Sequence, residues 1–145
     1  MKAVIQRVTQ GNVRVAGQEI AAIQSGFVIL LGIGKEDTLA TAETMAKKIA
    51  QLRVFSDEDG KMNRSILDIQ GSALVVSQFT LYADTRKGNR PSFINSGPPE
   101  MAEPMVQTFI ELLTAQGVPT QSGQFAADMQ VNIQNDGPVT ILLEY

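Results

Sequence analysis

The sequence predicts a single, sheet-rich α/β domain, and three patterns in the chain predict that fold class. The first segments alternate apolar and polar residues, as half-buried strands do. Two later segments place apolar residues at helical spacing, and each lies between apolar stretches short enough to be strands. The chain has 145 residues, so residues 1–145 are expected to form one domain with a buried core.

Local patterns predict the elements in order. Ala16-Gly17-Gln18 separates two alternating segments and predicts a hairpin turn. Thr38 is a suitable N-cap for the first helix, and Gly117 is a suitable stop for the second. The predicted strands are Lys2–Val8, Asn12–Val15, Glu19–Gln24, Phe27–Ile33, Arg53–Phe55, Leu74–Leu81, Met129–Ile133 and Val139–Leu143, and the predicted helices cover about 38–51 and 100–116.

The residue types that are missing narrow the chemistry. The chain contains no cysteine and no histidine, which excludes a Cys–His or Ser–His–Asp triad and a zinc site built on thiolate or imidazole. Without the usual general base, an enzyme of this composition would rely on carboxylates, lysine, backbone groups or its substrate. We expect no metal or other cofactor. No apolar run reaches the ~20 residues that span a bilayer, no signal peptide is evident, and the lack of cysteine suits the cytoplasm.

Charge is divided unevenly along the chain. The formal net charge is -3, yet all 12 Lys and Arg residues lie within 1–90, against 9 acids, whereas 91–145 holds 6 acids and no base. One interpretation is a cationic face on an acidic protein. Chance segregation of solvated side chains is the other, and composition alone favours neither.

The segment Ser77-Gln78-Phe79-Thr80 adds polar residues near the end of a long predicted strand. Ligands commonly bind at strand ends in α/β sheets. Free backbone N–H groups there stabilise oxyanions, and Thr80 offers a hydroxyl nucleophile or donor. In a continuous strand, Ser77 and Phe79 would share one face and Gln78 and Thr80 the other. The plainer interpretation is a strand that becomes polar where it meets solvent.

A basic loop follows this segment directly. Arg86, Lys87 and Arg90 lie close together around Gly88. Arginine suits phosphate geometry, and glycine allows close approach of the backbone. A solvated surface loop is the alternative, but the position beside a candidate site favours contact with an anionic polymer.

A Gly-Pro pair lies close to the C-terminus, at Gly137-Pro138. Proline fixes its own φ and lacks an N–H donor, so the pair offers a rigid set of carbonyls with no flexible side chain. Such a pair is suited to gauge the shape of a ligand. An ordinary turn is the plainer interpretation.

Together these residues resemble the D-aminoacyl-tRNA deacylase family, once called D-tyrosyl-tRNA deacylases. The resemblance covers the whole chain and rests mainly on two signature motifs, Ser77-Gln78-Phe79-Thr80 and Asn135-x-Gly137-Pro138-x-Thr140. Arg90-Pro91-Ser92-Phe93 also matches, whereas Ala126 stands where the family usually has glycine and the loop Ile94–Pro99 differs. The implied fold has barrel-like β-sheets with two main helices packed outside.

The resemblance also implies an activity and residue roles. The family hydrolyses the ester that links a D-amino acid to the 3′ end of tRNA, and it also acts on glycine attached to the wrong tRNA. The implied site residues are Ser77, Gln78, Phe79 and Thr80 for catalysis, Asn135, Gly137, Pro138 and Thr140 for substrate binding, and Arg86, Lys87 and Arg90 for tRNA binding.

Family members resemble one another in being homodimers. The Gly-Pro turn of one subunit, with a cis peptide bond, enters the pocket of the other. The carbonyls of Gly137-Pro138 would then face the α-carbon and amino group of the substrate. An L side chain would collide with them, while a D side chain or glycine would fit.

Two catalytic routes and two other functions stay open at this point. Thr80 would act as a nucleophile in one route, and water aided by the ribose 2′-OH would attack in the other. We favour the second, because no histidine is present to activate Thr80. The competing functions are a non-catalytic RNA-binding module that uses the basic loop, and a dimerisation domain in which the Gly-Pro turn only joins subunits.

Overall fold

The computed structural model describes all 145 residues. Its strands are β1 (Lys2–Val15), β2 (Gln18–Ile23), β3 (Gly26–Gly32), β4 (Phe55–Ser56), β5 (Met62–Arg64), β6 (Ser72–Ser77), β7 (Thr120–Ser122) and β8 (Met129–Glu144). Its helices are α1 (Leu39–Ala50) and α2 (Pro99–Ala115), and a single 3-10 helix covers Phe79–Tyr82. Both predicted helices are therefore confirmed. Neither is long and apolar enough to cross a membrane.

One curved sheet holds six of the strands. On one side, β1 pairs antiparallel with β8 along its length, and on the other side it pairs first with β3 and then with β2. β6 pairs parallel with β3, and β7 pairs parallel with β6. β2 returns towards β7, where Ala22 N–H donates to Gln121 Oε1 at 3.0 Å. The sheet is therefore nearly closed and barrel-like.

Each helix connects two parallel strands. α1 lies between β3 and β6 in the chain, and α2 lies between β6 and β7. Each helix thus follows a strand of the sheet, as predicted. The strand predicted at Arg53–Phe55 instead lies in a separate two-stranded sheet as β4, and β7 was not predicted. Phe27 and Ile29 of β3 pack with Met45 of α1 and Phe109 of α2 in the main core. Val28, between the two β3 residues, faces a second buried cluster on the opposite side of the sheet. The alternation along β3 thus separates a helix-facing core from the inside of the curved sheet.

The strand predicted over Leu74–Leu81 is wrong in its second half. β6 ends at Ser77, and the chain then turns into the 3-10 helix. The predicted shared strand face of Ser77 and Phe79 does not exist. The alternation of apolar and polar residues continues beyond Ser77 and favours a strand there. Tertiary contacts bend the backbone into a 3-10 helix instead.

Two glycines at the end of β3 explain this turn. A Cβ atom on Gly32 would lie 2.9 Å from the carbonyl oxygen of Gln78, and one on Gly34 would lie 2.5 Å from Tyr82 Oη. Only positions without side chains leave room for the 3-10 helix to cross here. The 3-10 helix that carries Phe79 and Thr80 thus packs directly against Gly32 and Gly34, which we call the glycine seat.

Two pairs of predicted strands are continuous in the structure. Lys2–Val8 and Asn12–Val15 join as β1, and Met129–Ile133 and Val139–Leu143 join as β8. Because β8 pairs with both halves of β1, each strand holds the other extended through the polar residues that interrupted the sequence pattern. Gly137-Pro138 is therefore an excursion within one strand instead of a turn between two.

Candidate active site

A cavity of about 660 Å³ opens where β6 ends. This volume lies within the usual range for small-molecule sites. Ser77 and Gln78 contribute polar groups to its wall. Apolar side chains form most of the rest, and they come from β6 itself and from other segments, among them Leu31, Val76, Phe93, Pro98, Phe125 and Met129.

Backbone donors are available at the mouth of this cavity. Gln78 N–H donates to Leu31 O at 2.8 Å, which ends the pairing of β6 with β3. The first bond of the 3-10 helix is donated by Leu81 N–H to Gln78 O at 3.3 Å. The N–H groups of Phe79 and Thr80 come before that bond and have no acceptor within the helix. They are therefore free to donate to an oxyanion bound at this strand end.

Thr80 has no partner that would activate it. Its Oγ1 accepts a hydrogen bond from Gln78 Nε2, and an amide nitrogen does not take up a proton. The Thr80 side chain is exposed and does not line the cavity, although Ser77, Gln78 and Phe79 of the same motif do. The structure therefore places three of the four predicted catalytic residues on the cavity wall and Thr80 beside it.

The second motif forms an outward excursion of β8. Gln6 pairs with Thr140 and Val8 pairs with Asn135, so Arg7 of β1 alone lies opposite the segment 136–139 of β8. The Gly137–Pro138 peptide bond is cis, and both residues are exposed. The excursion is thus held by regular strand pairing at both ends.

Side chains predicted to bind substrate also hold this excursion in place. Asn135 Nδ2 donates to Arg7 O at 3.0 Å and to Val139 O at 2.9 Å, which closes the base of the loop. Thr140 Oγ1 accepts from Gln6 Nε2 at 3.4 Å. Asn135 and Thr140 therefore position the Gly137-Pro138 carbonyls.

Arg7 is a further residue of this site that the sequence interpretation missed. Its side chain is buried, with the residue only 8% exposed, and its Nη1 donates to Val54 O at 2.5 Å. Its Nε lies 3.1 Å from a carboxylate oxygen of Asp136 and donates to the Asp136 carbonyl at 3.3 Å. A Cβ on Gly137 would lie 3.0 Å from Arg7 Nη2. Arg7 thus supports the excursion directly behind Gly137.

The structure does not bring the two motifs together within one chain. The cavity is lined by Ser77, Gln78 and Phe79, and by none of Asn135, Gly137, Pro138 and Thr140. The first motif therefore has a cavity of its own. The second is exposed on the outside of the sheet and does not line this cavity.

The basic loop is anchored at its base and only partly neutralised. Asp84 and Ser92 exchange two backbone hydrogen bonds, at 2.8 and 2.9 Å, across the loop. Arg86 forms a two-pronged pair with Asp84, from Nε at 2.9 Å and from Nη2 at 2.6 Å. These hydrogen bonds lower the pKa of Asp84 to about 2 and raise the pKa of Arg86. Lys87 and Arg90 form no ion pair, so they carry the free charge of the loop.

Comparison with known proteins connects these features to a family. The family model described as D-Tyr-tRNA(Tyr) deacylase matches residues 4–144. The chain belongs to this deacylase family. A D-aminoacyl-tRNA deacylase of Fervidobacterium nodosum is 54% identical to it over 144 residues, which cover 99% of this chain and 97% of the relative.

Solved structures agree with the deacylase family's fold. A structure described as c-Myc DNA Unwinding Element Binding Protein is 49% identical, has a TM-score of 0.93 and covers 100% of this chain and 99% of its own. A probable eukaryotic D-amino acid tRNA deacylase is 15% identical with a TM-score of 0.84, covering 98% of this chain and 97% of its own. The second likeness concerns the fold alone.

Several cavity residues of this deacylase family member lie outside its predicted site. Phe93, Phe125 and Met129 line the cavity from three different segments, and no local pattern marks them as neighbours. Ala126, where the resemblance implied glycine, has a φ of +57° and also lines the cavity. A left-handed φ explains why glycine suits this position. No group of three or more acidic side chains is arranged to hold a metal ion.

Proposed function

We propose that this chain hydrolyses the ester of D-aminoacyl-tRNA, and of glycine attached to the wrong tRNA, while rejecting L-aminoacyl-tRNA. The deacylase activity follows from family membership: the chain is a D-aminoacyl-tRNA deacylase, a hydrolase. The discrimination between D- and L-aminoacyl-tRNA is inferred from one observation: the two signature motifs lie in separate parts of the chain's surface. One lines a cavity with backbone donors, and the other is an exposed, rigid excursion outside that cavity.

The proposed reaction depends on backbone groups and on the substrate, and it needs no catalytic side chain. The ester of an amino acid with the tRNA ribose is already activated, so water can attack its carbonyl carbon once the oxyanion is stabilised. The N–H groups of Phe79 and Thr80 are the proposed donors to that oxyanion. The bond between the carbonyl carbon and the ribose 3′ oxygen then breaks, and the 3′ oxygen takes up a proton. The products are the free D-amino acid and tRNA.

Proton movement is assigned to the ribose 2′-OH of the substrate instead of Thr80. The Thr80 hydroxyl accepts from the Gln78 amide and has no base beside it. A Thr80→Ala variant is therefore expected to keep measurable turnover. Loss of all turnover in that variant, together with an acyl-enzyme trapped in the parent, would show that Thr80 is the nucleophile.

The discrimination is proposed to need two copies of the chain. In a homodimer, Gly137-Pro138 of one subunit would enter the cavity of the other and present its carbonyls to the substrate's α-carbon and amino group. An L side chain would meet these carbonyls, whereas a D side chain or a hydrogen atom would not. The exposure of the excursion and its support by Arg7 favour this arrangement.

The basic loop is proposed to meet the tRNA. Arg86, Lys87 and Arg90 follow the cavity motif directly in the chain, and arginine and lysine are the usual contacts to phosphate. Lys87 and Arg90 are free for this contact, whereas Arg86 would bind phosphate only on leaving its pair with Asp84. Because aminoacyl-tRNA is used in translation, we propose that the reaction takes place in the cytoplasm.

One assay separates these functions. The purified protein is incubated with D-tyrosyl-tRNA, glycyl-tRNA and L-tyrosyl-tRNA, and release of the amino acid is measured together with tRNA binding. We expect hydrolysis of the first two and none of the third. Binding without hydrolysis would indicate a non-catalytic RNA-binding module. Neither binding nor hydrolysis, in a protein that still dimerises, would indicate a dimerisation domain.

A further inference from the structure

An aromatic pair lies at the rim of the cavity. The rings of Phe79 and Phe93 meet edge to face, with centroids 5.0 Å apart and planes at 72°. Both residues line the cavity, yet Phe79 is 56% exposed. A ring that both lines a cavity and faces solvent must lie where the cavity opens. The next residue, Ile94, is a further exposed apolar side chain, with 68% of its surface accessible.

The basic loop is tied to both members of this pair. The backbone bridge between Asp84 and Ser92 closes the loop. Asp84 follows the 3-10 helix that carries Phe79, and Ser92 directly precedes Phe93. The loop must therefore begin and end beside the aromatic rim. Its position relative to the rings is set by two hydrogen bonds in addition to the chain itself.

The charge of the loop makes the rim suitable for RNA. Arg86 is occupied by Asp84, while Lys87 and Arg90 are exposed and unpaired. Exposed aromatic rings beside free cations are the combination by which proteins bind single-stranded nucleic acid, because bases stack on the rings and phosphates meet the cations.

We propose that the Phe79–Phe93 rim stacks the base of the nucleotide that precedes the terminal adenosine of tRNA, and that Lys87 and Arg90 bind the adjoining phosphates. This inference rests on the proposed function, because it requires the aminoacylated adenosine to occupy the cavity. The strand must then leave the cavity over its rim. Stacking accepts any base, so the rim would serve every tRNA with the shared single-stranded CCA end.

The test compares substrates of different length. Hydrolysis of D-tyrosyl-adenosine, D-tyrosyl-CpA and D-tyrosyl-tRNA is measured by the parent and by Phe93→Leu, which removes the ring but keeps an apolar side chain. In the parent, kcat/KM should rise about tenfold or more from the adenosine ester to the CpA ester, as one stacked base provides. In Phe93→Leu, the ratio of these two values should fall towards one. Phe93→Tyr should keep the parental ratio.

A matched control lies on the other side of the molecule. Ile20 is an exposed apolar residue of β2, and Ile20→Ala should leave the CpA-to-adenosine ratio at its parental value. If Phe93→Leu does not fold, Phe79→Leu tests the same ring pair. For Lys87→Ala combined with Arg90→Ala, the dependence of tRNA binding on salt should become shallower.

The outcomes separate this inference from the proposed function. If the parent hydrolyses none of the D-esters, the proposed function fails. If the parent hydrolyses them and the CpA-to-adenosine ratio is the same in Phe93→Leu, the rim does not bind the preceding nucleotide and the inference is overturned. An unchanged ratio together with weaker dimerisation, measured by sedimentation, would assign the rim to a second copy of the chain.

Discussion

The two signature segments, Ser77–Thr80 and Asn135–Thr140, are supported by the fold in opposite ways. The first follows a strand that is buried from Ala73 to Val76 and is seated on the glycines at the end of β3. The second is an excursion of β8, a strand with no fully buried residue, and depends on Arg7 for support. One segment is built into its own chain and the other is presented to something outside it. A change near each should therefore affect a different property of the enzyme.

The largest expected effect comes from filling the glycine seat. In Gly32→Ala, the added methyl would lie 2.9 Å from the Gln78 carbonyl, so the backbone that carries the Phe79 and Thr80 donors must shift. A displacement on the order of 1 Å at a reacting centre costs about a hundredfold in rate. We expect kcat/KM for D-tyrosyl-tRNA to fall by about that factor.

Gly60→Ala is the control for this change. Gly60 has a φ of +76° and nothing within 4 Å of an added Cβ. Alanine there should lower the free energy of unfolding by roughly 1–2 kcal/mol and leave the rate unchanged. A Gly32→Ala enzyme that folds and retains the parental rate would show that the seat does not position the catalytic donors.

Mixing two impaired variants tests whether the segments act in different subunits. Gly137→Ala places a methyl 3.0 Å from Arg7 Nη2 at a φ of +119°, and so disturbs the excursion without touching the cavity. Gly32→Ala disturbs only the cavity. If each site combines the cavity of one subunit with the excursion of the other, random re-pairing should restore about a quarter of the parental activity.

The measurement is deacylation after the two variants are unfolded together and refolded as an equal mixture. Each variant refolded alone gives the baseline. Recovery no greater than the mean of the two baselines would indicate that both segments act within one chain.

A smaller effect is expected where the excursion is supported. Arg7→Lys keeps a positive charge but cannot reach Val54 O and Asp136 together, because lysine has no planar fork of donors. Gly137 would then be held less firmly. The ratio of kcat/KM for D- over L-tyrosyl-tRNA should fall by about tenfold, which corresponds to about 1.4 kcal/mol. Arg14→Lys, at an exposed arginine of the same strand, should keep the parental ratio.

The smallest expected effect lies in the basic loop. Asp84→Asn removes the carboxylate that occupies Arg86, so a third cation becomes free for phosphate. Binding of tRNA should tighten, and its salt dependence should steepen by roughly 0.7–0.9 for one added contact. Adding Arg86→Ala should return the slope to its parental value. A flatter slope in Asp84→Asn would mean that Arg86 needs Asp84 in order to reach the tRNA.

The pH dependence of this loop follows from the same pair. The lowered pKa of Asp84 means that the folded state favours its charged form. Its contribution to loop order should therefore be complete above about pH 4 and be lost as the pH falls towards about 2. Proteolysis of the loop by an acid-active protease at different pH values would measure this loss.

Patterns of short range predicted most of the fold. Helical spacing located α1 and α2 to within about a residue at each end, and alternation located most of the strands. The turn after Ser77 was missed because its cause, the seat at Gly32 and Gly34, lies more than forty residues earlier in the chain. Local alternation cannot contain that information.

The sequence predicts only part of the candidate site. The motif residues of the cavity were found from their sequence, whereas Phe93, Phe125 and Met129 meet only in three dimensions. Arg7 did carry a signal. It shares a strand face with Ala3 and Ile5, both fully buried, and a buried arginine requires acceptors.

The contacts of Arg7 also have a consequence for folding. Its acceptors at Val54 and Asp136 are 47 and 129 residues away in sequence, so its support for the excursion depends on pairing the first strand with the last. Contacts of such separation are slow to form because a long loop must first be closed. A nascent chain can fold the strand that leads to Ser77 before residue 136 has been synthesised. We therefore expect the capacity to distinguish D from L substrates to be completed only when the whole chain is available.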